Sequence, residues 1–86
     1  MELEQLRLFL AVADSGGFSQ AARRLYISHS TVSRAVSSLE EELGVRLFER
    51  TNRTVGLTDA GELLLSEARG IVSAADGIKD KLSSAK

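Results

Sequence analysis

The stretch FSQAARRLYISHSTVSRAVSSLE, residues 18–40, has apolar residues at the spacing expected of two helices and an uneven distribution of charge. It holds three arginines and one histidine, and its only acid is its last residue, Glu40. After Asp14, 25 consecutive residues carry no carboxylate, although the whole chain has a formal net charge of −1. Because salt confines the influence of a charge to about 8–10 Å, this local imbalance matters more than the total. The stretch therefore predicts a surface that faces a polyanion.

Two helices joined by a tight connection are predicted within this stretch. Ser19 is a suitable N-cap for a short helix through Leu25, and Ser28 for a longer helix through Leu43, which Gly44 is suited to end. The longer helix has an apolar stripe and an opposite face of small and charged residues. The stripe comprises Val32, Val36, Leu39 and Leu43, and the opposite face comprises Ser30, Arg34, Ser37 and Glu41. The apolar contacts between the two helices are predicted at Ala21, Leu25, Ile27, Val32 and Val36. This arrangement is typical of a helix-turn-helix whose second helix enters the major groove of DNA.

A β-hairpin is predicted to follow the second of these helices. Alternating apolar residues in VRLFERTNRTVGLT, residues 45–58, indicate two short strands joined near residues 51–53, where Asn52 tolerates a left-handed backbone. From Arg50 to residue 58 there is again no acid. Arg53 at the tip would suit a minor groove, whose negative potential attracts arginine. The hairpin is therefore predicted to be a cationic wing.

Helices are also predicted at both ends of the chain. Apolar spacing indicates a first helix over residues 3–14, ended by two glycines. Thr58 can cap a long last helix with acids in its favourable first turn. Apolar residues at heptad spacing, which favour a dimer seam but also allow packing within one chain, are Leu64, Ala68, Ile71, Ala75, Ile78 and Leu82. The predicted fold class is all-α with a small β-hairpin.

Composition excludes several classes of protein. A chain of 86 residues with 43% hydrophobic and 27% charged residues fits one small soluble domain. Without cysteine there is no disulfide framework and no thiolate metal site. With a single histidine and no nucleophile–base set, an enzyme is disfavoured. A module that binds another protein would suit the acidic total, but it would not explain two acid-free segments that both hold arginines.

Taken together, these residues resemble the DNA-binding domain of LysR-type transcriptional regulators. The matching positions are Phe18, Ser19, Ala21, Ala22, Leu25, Ser28, Ser33, Leu39, Glu40, Leu43, Gly44, Leu47, Phe48, Arg50, Arg53, Leu57, Thr58, Ala60 and Gly61. The resemblance implies a winged helix-turn-helix in residues 1–58 and a linker and dimerisation helix in residues 59–86. It also implies a larger C-terminal domain that senses a small-molecule inducer. We therefore expect this chain to be a fragment with no cofactor of its own.

The resemblance further implies how the chain works. We expect a bacterial, cytoplasmic and nucleoid-associated regulator that binds double-stranded DNA and no membrane. Its last helix would form a homodimer on an interrupted palindrome, and the full-length protein would form a tetramer. The predicted DNA contacts are Ser19, Ser28, His29, Ser30, Thr31, Ser33, Arg34, Ser37, Arg50, Asn52 and Arg53. The predicted dimerisation residues are Leu64, Ala68, Ile71, Ala75 and Ile78.

The sequence departs from the family where bases are read. Many LysR-type regulators begin this helix with Gln-Pro-Ala or a close variant, whereas this chain has His29, Ser30 and Thr31. The imidazole of His29 either donates or accepts a hydrogen bond, depending on its tautomer. The DNA sequence that this chain prefers is therefore expected to be its own.

Overall fold

The computed structural model describes residues 1–50 and 55–85, with Arg50 described by its backbone alone. The elements in chain order are α1 (Leu3–Ser15), α2 (Phe18–Leu25), α3 (His29–Leu43), β1 (Phe48–Arg50), β2 (Val55–Leu57) and α4 (Asp59–Ser84). The two strands pair antiparallel, with Phe48 opposite Leu57. The predicted fold class, a winged helix-turn-helix with a long final helix, is confirmed.

Local signals set several helix ends as predicted. Gly16 and Gly44 end α1 and α3 in the left-handed conformation, at φ values of 83° and 70°. Ser28 caps α3, because its hydroxyl accepts a hydrogen bond at 3.1 Å from the amide three residues later. Thr58 caps α4 in the same way at 3.0 Å. These two caps fix where α3 and α4 begin.

The prediction that Ser19 caps α2 is wrong. The N-cap is Gly17 and the helix begins at Phe18, whose buried ring lies 5.5 Å from that of Phe48. Burial of Phe18 on the inner face sets the start of the helix, so tertiary packing overrides the local preference. Ser19 is exposed in the first turn of a helix that has no side-chain cap.

One core joins the four helices to the hairpin. Fully buried side chains of the predicted α3 stripe, Val32, Val36 and Leu39, lie at its centre. The buried rings of Phe9 and Phe48 lie 5.3 Å apart and connect α1 to β1. Two of the predicted contacts between the helices, Leu25 and Ile27, are more than a third exposed, and so is Leu43 at the end of the predicted α3 stripe. The helix-turn-helix is therefore held mainly by small and β-branched side chains.

The first half of α4 belongs to this core. Ala68 is completely buried, and Leu64 and Val72 pack against the cluster. The prediction that Ala68 faces a partner is therefore wrong, because its side chain is covered by the chain's own core. The division between residues 1–58 and 59–86 stays a prediction, and the core crosses it.

Two ion pairs fasten α4 to α1. Arg7 contacts Asp76 and Asp14 contacts Arg69, each at 2.6 Å. Arg7 and Asp14 are seven residues apart on α1, and their partners are seven residues apart on α4 in the reverse order. The two pairs therefore fix an antiparallel register of the helices. Hydrogen bonds from Arg69, reinforced by its charge, lower the pKa of Asp14, and Arg7 lowers the pKa of Asp76 in the same way.

Two further findings concern the described residues. None of their helices combines the length and the apolar character that crossing a bilayer would require. Nor do they bring together three or more histidine, cysteine, aspartate or glutamate side chains that could bind a metal ion.

Candidate nucleic-acid interface

The outward face of α3 is exposed and cationic, as its sequence predicts. Ser30, Arg34 and Ser37 are all exposed, while Val32, Val36 and Leu39 on the opposite face are fully buried. Within residues 1–50 and 55–85, no carboxylate forms an ion pair with Arg34. Its guanidinium therefore keeps its hydrogen-bond donors available for a ligand outside the chain.

Hydroxyl groups cluster at the start of α3. The Ser28 oxygen lies 2.7 Å from the hydroxyl of Thr31 and 3.2 Å from that of Ser30, and it also accepts the Thr31 amide. Ser28 is thus engaged in capping, which limits its capacity to contact DNA. Ser30 and Thr31 are exposed and held in place by this network.

His29 and Ser33 occupy different environments on the same helix. The exposed imidazole of His29 lies 6.1 Å from the ring of Phe18, tilted by 47°. This contact positions His29 where the first turn of α3 meets α2. Ser33 is half-buried, so it has less free surface than its neighbour Arg34.

The side of α2 next to α3 adds further polar groups. Ser19 is exposed beside first-turn amides that no side chain caps, and such amides attract anions. Arg23 and Arg24 are exposed in the last turn, and Arg24 donates a hydrogen bond to the Ser15 hydroxyl at 3.4 Å. The acid-free stretch thus exposes polar and cationic side chains on both α2 and α3.

Glu40 has a structural role that the sequence analysis did not assign. Its carboxylate is 9% exposed and accepts the Leu47 amide at 2.7 Å and the Phe48 amide at 3.4 Å. Arg46 lies 3.8 Å from the same oxygen. The spacing of the sequence could have indicated this role, because Glu40 follows Val36 by four residues and so falls on the buried stripe.

Thr58 holds the other end of the hairpin. Its hydroxyl donates to the Arg46 carbonyl at 2.6 Å, and its amide donates to the Leu47 carbonyl at 3.0 Å. The segment that leads into the wing is therefore clamped between α3 and α4. Of the predicted wing contacts, Asn52 and Arg53 lie outside the described residues. Arg50 lies in β1, paired with Val55.

The outer side of α4 is apolar and exposed. Ile71 and Ile78 are 46% and 57% exposed, while Ala75 is half-buried. A shallow apolar groove adjoins this side at the start of the helix, lined by Leu43, Val45, Leu47, Ala60, Leu63, Leu64 and Glu67. Of the predicted dimerisation residues, the two isoleucines thus keep the most surface free for a partner.

The exposed face of α3, the clamped base of the hairpin and the guanidinium of Arg34, which pairs with no carboxylate in residues 1–50 and 55–85, are the features of a winged helix-turn-helix that binds DNA. The model of the bacterial regulatory helix-turn-helix proteins of the lysR family matches residues 3–62. The chain belongs to this family, which confirms the resemblance seen in the sequence.

Similar proteins with assigned functions are transcriptional regulators. TfdT of Cupriavidus pinatubonensis is 47% identical over 73 residues, which cover 85% of this chain and 32% of TfdT. ClcR of Pseudomonas putida is 51% identical over 72 residues, which cover 84% of this chain and 24% of ClcR. The chain thus spans a third or less of these two relatives. The family to which this chain belongs therefore consists of transcriptional regulators rather than enzymes.

Solved structures agree with this assignment. The DNA-binding domain of CbnR, crystallised in complex with DNA, has a TM-score of 0.92 and 41% identity. That match covers 99% of this chain and 98% of the CbnR domain. The BenM DNA-binding domain in complex with catB site 1 DNA has a TM-score of 0.94 and 37% identity, covering 98% of this chain and 94% of that one.

Proposed function

We propose that this domain binds specific double-stranded DNA sites as a dimer, for a bacterial LysR-type transcriptional regulator. The N-terminal half of α3 lies in the major groove and the wing lies at the neighbouring minor groove. Two copies joined through α4 meet two half-sites of an interrupted palindrome. The solved complexes of CbnR and BenM with DNA, at about 40% identity to this chain, support the same partner.

The exposed guanidinium of Arg34, which forms no ion pair with the residues that the structure describes, is the observation that carries this proposal. It lies on the outward face of a helix whose inner face is fixed in the core, so its position is set by the fold. Arginine is the residue most often found in bidentate contact with guanine in the major groove. Ser30 and Ser37, exposed on the same face, and Ser33 beside it extend the contact along the helix.

Phosphate contacts are assigned to groups that flank this helix. Ser19 and the uncapped amides of α2 suit one phosphate, and the start of α3 with His29 and Thr31 lies beside the groove. Such contacts set the orientation of a protein on DNA, while base contacts set its sequence preference. Arg50, Asn52 and Arg53 are proposed as the contacts of the wing.

Dimerisation is assigned to the outer side of α4. Ile71 and Ile78 are too exposed to serve the core, and burying an isoleucine contributes about 1.5–3 kcal/mol. The groove beside Leu63 extends the same apolar surface toward α3. A dimer doubles the cationic surface, which matters because each copy offers few arginines. A tetramer, a small-molecule inducer and a nucleoid location are proposed for the longer regulator alone.

The test begins with sites selected by the chain from a pool of random duplexes. The chain is then titrated against a selected and an unrelated duplex of equal length, with fluorescence anisotropy at several salt concentrations. Arg34→Ala should weaken binding to the selected duplex by about 1–3 kcal/mol and reduce the preference for it. The matched control is Lys79→Ala, which removes an exposed cation from the far part of α4.

Three results would contradict the proposal. Salt-independent or absent binding to every duplex would favour a module that binds proteins, because phosphate contacts make DNA affinity fall steeply with salt. Selected sites without dyad symmetry would contradict both the proposed palindrome and the dimer proposed to bind it. If Arg34→Ala and Lys79→Ala changed the affinity for the selected duplex equally, the proposed contact between α3 and DNA would be contradicted.

A further inference from the structure

The end of α2 has an unusual backbone. Tyr26 has a φ of 58° and a ψ of 40°, and among the described residues it is the only non-glycine with a positive φ. A Cβ atom disfavours this left-handed conformation, so helices usually end there with glycine or asparagine. In this chain α1 and α3 follow that rule with Gly16 and Gly44, and α2 does not.

No contact within the described part of the chain accounts for a tyrosine at this position. Its side chain is 95% exposed, more than any other large hydrophobic side chain that the structure describes. Across residues 1–50 and 55–85, no side chain forms a hydrogen bond or ring contact with its phenol group. The backbone amides of Tyr26 and Ile27 donate hydrogen bonds to the carbonyls of Arg23 and Ala22, which closes the end of α2. A glycine would form the same bonds without the cost of a Cβ atom, so they do not account for the tyrosine side chain. Such an outlier without structural benefit is a reason to look for a function.

The surroundings of Tyr26 fit an anionic ligand. It follows Arg23 and Arg24 and precedes the α3 cap, Ser28, by two residues, which span at most about 7 Å. It lies within the 25 residues that hold no acid. Arg24 lies near Asp14, whose pKa it helps to lower, so the exposed guanidinium of Arg23 and the phenol of Tyr26 are the groups that a phosphate would find here. Tyrosine hydroxyls are among the side-chain groups that donate hydrogen bonds to DNA phosphates.

We propose that Tyr26 contacts the DNA backbone, donating its hydroxyl hydrogen to a phosphate beside the major groove that α3 enters. This inference rests on the proposed function. A phosphate contact carries no base preference by itself, so it raises affinity for selected and unrelated duplexes alike.

The experiment compares the wild-type chain with Tyr26→Phe and Tyr26→Asn. Tyr26→Phe removes only the hydroxyl, and it should weaken binding to selected and unrelated duplexes by a similar factor of roughly 3- to 10-fold. Its melting temperature should equal that of the wild type, because the hydroxyl has no partner among the residues that the structure describes. Tyr26→Asn should melt higher, because asparagine tolerates the left-handed backbone, and should bind DNA at least as weakly as Tyr26→Phe.

Other outcomes separate this inference from the function on which it rests. If the wild-type chain binds no duplex, the proposed function itself fails. If Arg34→Ala weakens binding but both Tyr26 variants bind like the wild type, only the Tyr26 contact is overturned, and a protein partner becomes the explanation for the exposed ring. A Tyr26→Phe chain that melts well below the wild type would also overturn it, because the hydroxyl would then serve the fold.

Discussion

Gly61 tests whether the wing and α4 are joined as closely as the structure indicates. A Cβ atom built at this buried position would lie 2.1 Å from the Leu47 carbonyl oxygen and 2.9 Å from the Leu57 side chain. The carbonyl cannot rotate away, because it accepts the Thr58 amide at 3.0 Å and belongs to a residue that is 1% exposed. Gly61→Ala therefore has to push the base of the wing off the helix.

The magnitude follows from two opposing effects. Overpacking of a core typically costs about 1–3 kcal/mol, and a contact with fixed backbone is at the upper end. Alanine is better than glycine in a helix interior by at most about 1 kcal/mol, and less in a first turn. The net loss in the free energy of unfolding should be about 2 kcal/mol. For a domain of this size that lowers the melting temperature by roughly 8–16 °C.

Gly70 supplies a control on the same helix. A Cβ atom there would meet nothing within 4 Å, so Gly70→Ala should gain about 0.8–1 kcal/mol from helix propensity alone. Both variants are unfolded with urea and with heat under circular dichroism at one protein concentration, because dimerisation makes stability concentration-dependent. If Gly61→Ala were as stable as Gly70→Ala, the close approach of the Leu47 carbonyl to α4 would be refuted.

Three further perturbations test other parts of the molecule. Ile78→Asp should convert dimers to monomers in light scattering, because it places a charge on the exposed apolar side of α4; Ser73→Asp, which adds the same charge outside that side, should leave dimers intact. Glu40→Ala should lower the free energy of unfolding in urea by about 1–3 kcal/mol, because it leaves buried amides without their acceptor, and Glu40→Gln should lose less; equal losses would mean that the acceptor oxygen is unimportant. The depressed pKa values of Asp14 and Asp76 contribute stability that is complete above the unfolded pKa of about 3.9 and is lost as pH falls through the lower folded values. A chain with Asp14→Asn and Asp76→Asn should therefore be less stable at pH 7 but lose less stability on acidification, and an unchanged pH profile would contradict the role of the two pairs.

Features that depend on neighbouring residues could be predicted from the sequence. The caps at Ser28 and Thr58 and the glycine ends of α1 and α3 need only a few adjacent side chains, and the structure has them as predicted. The same applies to the two faces of α3, because helical periodicity alone separates Val36 from Arg34. The predicted cap at Ser19 was wrong, because the start of α2 depends on where Phe18 is buried.

Features that depend on distant residues could not be predicted in the same way. The pair between Arg7 and Asp76 joins residues 69 positions apart, so nothing in the local pattern indicates it. The role of Glu40 as an acceptor was not predicted, because only the folded wing brings the Leu47 amide to its carboxylate. An acid on an apolar stripe is the general signal for such a buried acceptor.

The last helix shows why a heptad pattern does not identify its partner. A single stripe of apolar residues predicted one seam, but the structure divides it between two surfaces. Ala68 is enclosed by the chain's own core, while Ile71 and Ile78 remain exposed farther along the helix. Core contacts of Ala68 and Val72, together with the ion pairs to α1, hold α4 in an orientation that leaves Ile71 and Ile78 exposed. We therefore expect a dimer to use these two exposed residues and to leave the packing of the first half of α4 on α1 undisturbed.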